Sequence, residues 1–236
     1  MKELLKMGVA LLGGLMLVFS AGNQPRTAEA RYHSFDGGGM EYSLSVEPEG
    51  IVTWSSERDY SDPDHEELDG AGYDVVFRFA GVAQGSAHAS VAGFSPIADE
   101  MEDDFWLTVD RDLNVSLHRA RPIRSFSLHR GGYMSPQFHD IWLEEDGACL
   151  RQDWTETTYP GDPALLDGLA ALVAQYGVED WDGFSDYDPN VLDGEGFTLN
   201  IVFADGSTVY ASGENAFPPN YHAFAYACQE LMGPGR

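Results

Sequence analysis

After Lys6 the sequence contains no lysine, so arginine carries almost all of its positive charge. Asp and Glu outnumber Lys and Arg 39 to 13, which leaves a formal net charge of −26. A chain this acidic repels nucleic acid and anionic membrane surfaces and excludes both as partners. It attracts cations: Ca²⁺, basic peptides or cationic wall components. The same charge also serves to keep an exported protein in solution. Cysteine is nearly absent, with Cys149 and Cys228 the only two. No apolar run after Phe19 is long enough to cross a bilayer, which needs roughly 20 residues. No Gly-x-Ser-x-Gly nucleophile elbow occurs. His118, His129 and His139 are too widely spaced for a recognised zinc motif, and His222 and Cys228 lie on different faces of one predicted helix.

The N-terminus has the form of an export signal. Lys2 and Lys6 precede an apolar segment from Met7 to Phe19 that is broken only by Gly13 and Gly14. Ala28-Glu29-Ala30 places small residues at the two positions a signal peptidase reads, so cleavage is expected after Ala30. An uncleaved N-terminal anchor is the alternative. No cysteine follows the apolar segment, so no lipid-anchoring site is present there. The protein is expected to be secreted or held at the cell envelope. That compartment permits a Cys149–Cys228 disulfide, and the sequence leaves a bridge and two separate thiols equally open.

With residues 1–30 as the signal, residues 31–40 contain Gly37-Gly38-Gly39 and are expected to form a flexible leader. Residues 41–120 show short period-2 apolar runs, best seen in Tyr73, Val75, Phe77 and Phe79, with turn residues between them and no helical period. This pattern predicts an all-β, immunoglobulin-like sandwich. Residues 121–236 mix the two periods. Leu165, Leu166, Leu169, Leu172, Val173 and Tyr176 recur at helical spacing after Asp162-Pro163, and Gly177 stops the helix. Hairpins are expected at Asp146-Gly147 and Asp205-Gly206. A last helix begins near 218–220 and carries Phe224, Ala227, Cys228 and Leu231 on one stripe. This half is expected to be a small α+β domain, an antiparallel sheet with two helices on one face.

Two resemblances overlie this reading. Phe77-Arg78-Phe79-Ala80-Gly81, Gly85-Ser86-Ala87 and Leu107-Thr108-Val109-Asp110 resemble bacterial immunoglobulin-like domains, among them the chagasin-like inhibitors of papain-type proteases. The Asn-Pro-Thr-Thr-Gly inhibitory loop of that family is missing here. The C-terminal half, over about residues 124–232, resembles an uncharacterised domain of secreted proteins and lipoproteins of Gram-positive gut bacteria. Ser127, Gly131-Gly132-Tyr133-Met134, Trp181-Asp182-Gly183-Phe184, Leu192-Asp193-Gly194 and Ser212-Gly213-Glu214-Asn215-Ala216-Phe217-Pro218 carry that likeness. This second resemblance implies an envelope setting and supplies no reaction.

Three regions are candidate sites. Trp181, Glu214, Asn215, Phe217 and Tyr221 form either an aromatic cleft for a peptide or glycan or a staple that packs the loop on the last helix. Asp186, Asp188, Asn190 and Asp193 place oxygen ligands at near-alternate positions, as calcium loops do, although Val191 stands where an EF-hand requires glycine. Arg119, Arg121, Arg124 and Arg130 form a basic stripe that docks a partner's carboxylates or pairs with the chain's own acidic loops. The function expected from these features is a non-catalytic binding or interaction protein of the cell envelope. The alternatives are a carboxylate-dependent hydrolase acting near Trp181–Glu195 and a chagasin-like protease inhibitor.

Overall fold

The structure, a computed structural model, describes residues 25–60, 70–97, 99–132, 138–144, 147–152, 155–160, 163–191 and 194–232. The described chain is predominantly β, with fourteen strands and two α-helices.

The first seven strands are β1 (Ala28–Phe35), β2 (Glu41–Glu47), β3 (Val52–Tyr60), β4 (Gly72–Gly81), β5 (Gly85–Phe94), β6 (Met101–Val109) and β7 (Val115–His118). They form two antiparallel sheets in the orders β1-β4-β3 and β2-β5-β6-β7. The period-2 alternation read from the sequence turns one face of each sheet inward. Phe77 and Phe79 of the first sheet share one buried cluster with Val91, Phe105, Leu107 and Val109 of the second. Phe79 meets Phe105 edge-on across the two sheets, with centroids 5.7 Å apart. Each such ring contributes about 1.5–3 kcal/mol by burial. On the outer face of the first sheet, Arg31 bonds Asp59 at 2.7 Å and Arg78 bonds Glu29 at 2.7 Å. These pairs are exposed and add little stability individually, but they consume arginines.

Two expectations fail here. Residues 31–35 are no leader, because they continue β1, which pairs with β4 from Ala28↔Phe79 to Phe35↔Gly72. Anchoring starts before the expected cleavage point. The Arg26 N–H donates to Asn114 Oδ1 at 2.8 Å, the Arg26 carbonyl accepts from the Val115 N–H, and Ala30 is 3% exposed. A cut after Ala30 would remove three strand residues. The strand order also differs from the immunoglobulin constant-type arrangement, which groups the first, second, fifth and fourth strands in one sheet. Here the first strand pairs with the fourth and the second with the fifth.

The second half comprises β8 (Ile123–Gly131), β9 (Phe138–Glu144), β10 (Gly147–Gln152), β11 (Thr155–Pro160), α1 (Pro163–Tyr176), a 3-10 turn (Val178–Trp181), β12 (Ser185–Tyr187), β13 (Gly196–Phe203), β14 (Thr208–Glu214) and α2 (Tyr221–Leu231). The strands make one seven-stranded sheet in the order β11-β10-β9-β8-β13-β14-β12. All pairings are antiparallel except β12 with β14. Phe126, Leu128, Leu199, Ile201 and Val209 point to one face and share a core with Leu169 and Val173 of α1 and Phe224 and Cys228 of α2. Both helices therefore lie on the same side of the sheet. Gly177 ends α1 at φ 64°, and a Cβ there would sit 3.1 Å from His118 Nε2, so the helix end is glycine for conformation and for close approach. Asp162, expected to cap α1, lies outside the described residues. β11 and β12 add to the expected sheet: β11 is rich in threonine rather than large apolar residues, and β12 is only three exposed residues.

Two stability measurements check this placement. Leu169, 1% exposed, should cost roughly 2–5 kcal/mol on truncation to alanine, read by denaturant unfolding. A chain beginning at Arg31 should melt several degrees below one beginning at Pro25, since each kcal/mol is worth roughly 2–4 °C at this size. Equal melting temperatures would contradict the role given to Arg26–Ala30.

Candidate functional site

The aromatic group expected around Trp181 is assembled, but as packing. Trp181 is 2% and Tyr221 1% exposed, and Trp181 meets Phe224 edge-on at 5.4 Å. Phe217 stacks on Tyr221 with centroids 4.8 Å apart. The Tyr221 hydroxyl donates to Glu195 Oε1 at 3.3 Å, and Glu195 also accepts Arg130 Nε at 3.0 Å. Asn215, at φ 57°, donates its backbone N–H to the Glu195 carbonyl at 2.8 Å and its side-chain amide to the Val191 carbonyl at 3.4 Å. The segment from Ser212 to Tyr221 is thus the staple of the two alternatives. Of the five residues expected to bind a ligand, only Glu214 remains on an open surface.

The acidic loop is likewise engaged with itself. Asp188 Oδ1 accepts from both the backbone N–H and the side chain of Asn190 at 2.9 Å. Asp186 Oδ1 accepts the Tyr187 N–H at 2.8 Å, and Asp182 Oδ1 the Tyr210 N–H at 3.0 Å. Among the described residues no three His, Cys, Asp or Glu side chains converge as metal ligands. Asp193 lies outside the described residues. Cys228 is buried with a free thiol, which burial pushes well above the usual thiol range. The side chain of Cys149 lies outside the described residues.

The arginine stripe pairs internally. Arg119 bonds Asp103 at 2.7 Å, and Arg130 bonds Glu195 at 2.9 Å. Arg121 ties the connection between the two halves to the second half. It reaches Glu179 beside α1 and Asp205 in the β13–β14 turn, both at 2.6 Å, and lies over the Phe203 ring at 4.1 Å. Beside it, His118 is 7% exposed, and its Nε2 lies 3.0 Å from Thr108 Oγ1 and 3.4 Å from Asp180 Oδ2. Both contacts fall on the same nitrogen, so this group clamps the 3-10 turn against β6 and β7 and does not form a relay through the ring. A cavity of about 190 Å³ adjoins the clamp, lined in part by Asp110, Asn114, Trp181 and Asn220.

An accessible groove of the second half lies elsewhere, on the face of the seven-stranded sheet that the helices leave bare. Cross-strand register sets out three rows there. The first runs Gly131–Gly196–Glu214–Tyr187. The second runs Asp140–His129–Thr198–Ser212–Ser185. The third runs Trp142–Ser127–Asn200–Tyr210. Side chains directly opposite one another stand about 4.5–5.5 Å apart at Cβ. The first two rows enclose a groove of about 500 Å³. Tyr187 is 65% and Tyr210 52% exposed, and His129 Nδ1 holds a short hydrogen bond to Asp140 Oδ1. Sequence reasoning missed this surface. Its signal was the polar half of the period-2 alternation in β8, β13 and β14, which reads as ordinary solvent-facing residues until register aligns it. Compared with family models, with curated proteins and with solved structures, the chain matches none.

Two carboxylates of the second half have depressed pKa values. The Ser207 hydroxyl and N–H, with Arg121, lower Asp205 to about 2. At Asp180 desolvation opposes ionisation, but the hydrogen bond and charge of His118 hold the carboxyl below its usual range. A depressed folded-state pKa contributes stability above the unfolded value, about 3.9 for Asp, and loses it as pH falls through the folded value. Asp205→Asn should therefore lower the melting temperature at neutral pH, and the gap to the parent should narrow as pH falls from about 4 towards 2. A gap independent of pH over that range would contradict the Arg121 bridge.

Proposed function

We propose that this is an exported, non-catalytic binding protein of the cell envelope, with the bare face of its seven-stranded sheet as the binding surface. The observation that carries the reading is the groove on that face. It is concave, on the side without helices, and lined by hydroxyls, glycines and an exposed tyrosine. The export signal read in residues 1–30 and the likeness of residues 124–232 to domains of secreted Gram-positive proteins support the envelope setting. The paired strands of residues 28–118 make two packed antiparallel sheets, which serve in this reading as a spacer or second module. The protease-inhibitor alternative has no inhibitory loop to rest on. The carboxylate-hydrolase alternative loses Asp182 and Glu195 to structural hydrogen bonds.

One observation favours a second, hydrolytic reading at a different place. Asp140 holds His129 at Nδ1, and Thr198 and Ser212 follow His129 in the same row, the order of groups in an acid–histidine–hydroxyl triad. The backbone N–H groups of β8, β13 and β14 serve the sheet ladder, so the row offers no free donor to a developing oxyanion, and binding is the better-supported use.

The test is retention on insoluble envelope material of the producing organism. The parent should co-sediment, and Ser212→Tyr, which fills the groove floor, should lose retention without a change in melting temperature. Retention unaffected by that substitution would place the binding surface elsewhere. Ester or peptide hydrolysis abolished by His129→Asn would replace binding with the second reading.

A further inference from the structure

Resting on the binding reading, we propose that the groove takes an uncharged oligosaccharide. Its floor is made of neutral hydrogen-bonding groups. Thr198, Ser212 and Ser185 supply hydroxyls that both donate and accept, matching the dual character of sugar hydroxyls. Gly131 and Gly196 remove side chains beside them, which lets a ligand approach the sheet. Glu214 lines one end, where its carboxylate accepts hydroxyl protons.

The aromatic residues complete the fit. Tyr187 stands at the end of the first row and Tyr210 at the end of the third, both more than half exposed. Trp142 occupies the far end of the third row, across Ser127 and Asn200 from Tyr210. Two exposed tyrosines on the β14–β12 side, with the half-buried Trp142 across the floor, suit a ligand with C–H faces and hydroxyl edges, since a tyrosine offers an apolar face with a polar tip. Charge narrows the class further. Among the described residues no lysine or arginine lines the groove, and the whole chain is at −26, so phosphate-bearing, sulfated and uronic polymers are repelled. A basic peptide would find Glu214 at one end, Asp140 already held by His129 at the other, and hydroxyls between them, so it fits this surface less well than a neutral sugar chain.

The experiment is calorimetric titration of the exported protein with soluble hexamers of β-1,4-linked glucose, α-1,4-linked glucose and β-1,4-linked N-acetylglucosamine. At least one should bind saturably. Tyr187→Ala combined with Tyr210→Ala should weaken it about tenfold or more, the scale of a lost aromatic anchor. Tyr226→Ala, equally exposed but on α2 behind the sheet, should leave it unchanged. Ser212→Tyr should abolish it, and this second variant answers the question should the tyrosine pair impair folding. Retention on envelope material with no hexamer bound would overturn the saccharide class and leave the binding reading standing. Saturable binding indifferent to both groove variants would overturn the groove as its site. Loss of both envelope retention and hexamer binding in the parent would overturn the two together.

Discussion

The seven-stranded sheet is covered on one face only, and most of the molecule follows from that. An antiparallel sheet tolerates water on one side because its backbone groups are satisfied within the ladder. The apolar half of each strand must then meet a partner. Leu169 and Val173 of α1 and Phe224 and Cys228 of α2 supply it. Packing both helices on that side forces the Ser212–Tyr221 segment to turn tightly from β14 into α2. The left-handed Asn215 and Asn220, and the stacking of Phe217 on Tyr221, hold that turn. What reads in the sequence as an aromatic cleft is the fastening that keeps the covered face covered.

Charge organises the rest. The chain holds few cations, and the arginines of the Arg119–Arg130 stripe seen in contact close on the protein's own carboxylates. Arg121 is the most consequential, since one guanidinium ties the inter-half connection to the 3-10 turn and to the β13–β14 hairpin. The contact between the halves comes from His118, buried against Thr108 and facing Asp180 of the 3-10 turn. In the proposed reading, a surface left so strongly acidic selects its ligand by exclusion.

Much of this architecture was legible beforehand. Tyr73, Val75, Phe77 and Phe79 announced a strand, and Leu165, Leu169 and Val173 announced α1, because burial imposes periods that survive in a single sequence. Asp205-Gly206 gave its hairpin for the same reason that Gly206 sits at φ 87°. The N-terminal boundary was misplaced because Ala28-Glu29-Ala30 satisfies two patterns at once, a processing motif and an alternating strand, and only pairing with β4 separates them. The groove on the bare face was missed for a deeper reason. Trp181 and Tyr221 are conspicuous in the sequence, yet conspicuous aromatics are most often core. The groove is built from Ser, Thr, Gly and Tyr on four strands, and no local pattern joins His129 to Thr198 and Ser212 before the register is known.

One titration would decide whether the bare face is the ligand surface. The amide and side-chain resonances of the protein can be followed by nuclear magnetic resonance as solubilised neutral glycan from the producing organism's envelope is added. Shifts concentrated at His129, Thr198, Asn200, Tyr210, Ser212 and Tyr187, with α1 and α2 silent, are the predicted result. Shifts concentrated on the helices, or around His118 and Asp180 at the junction of the two halves, would contradict it.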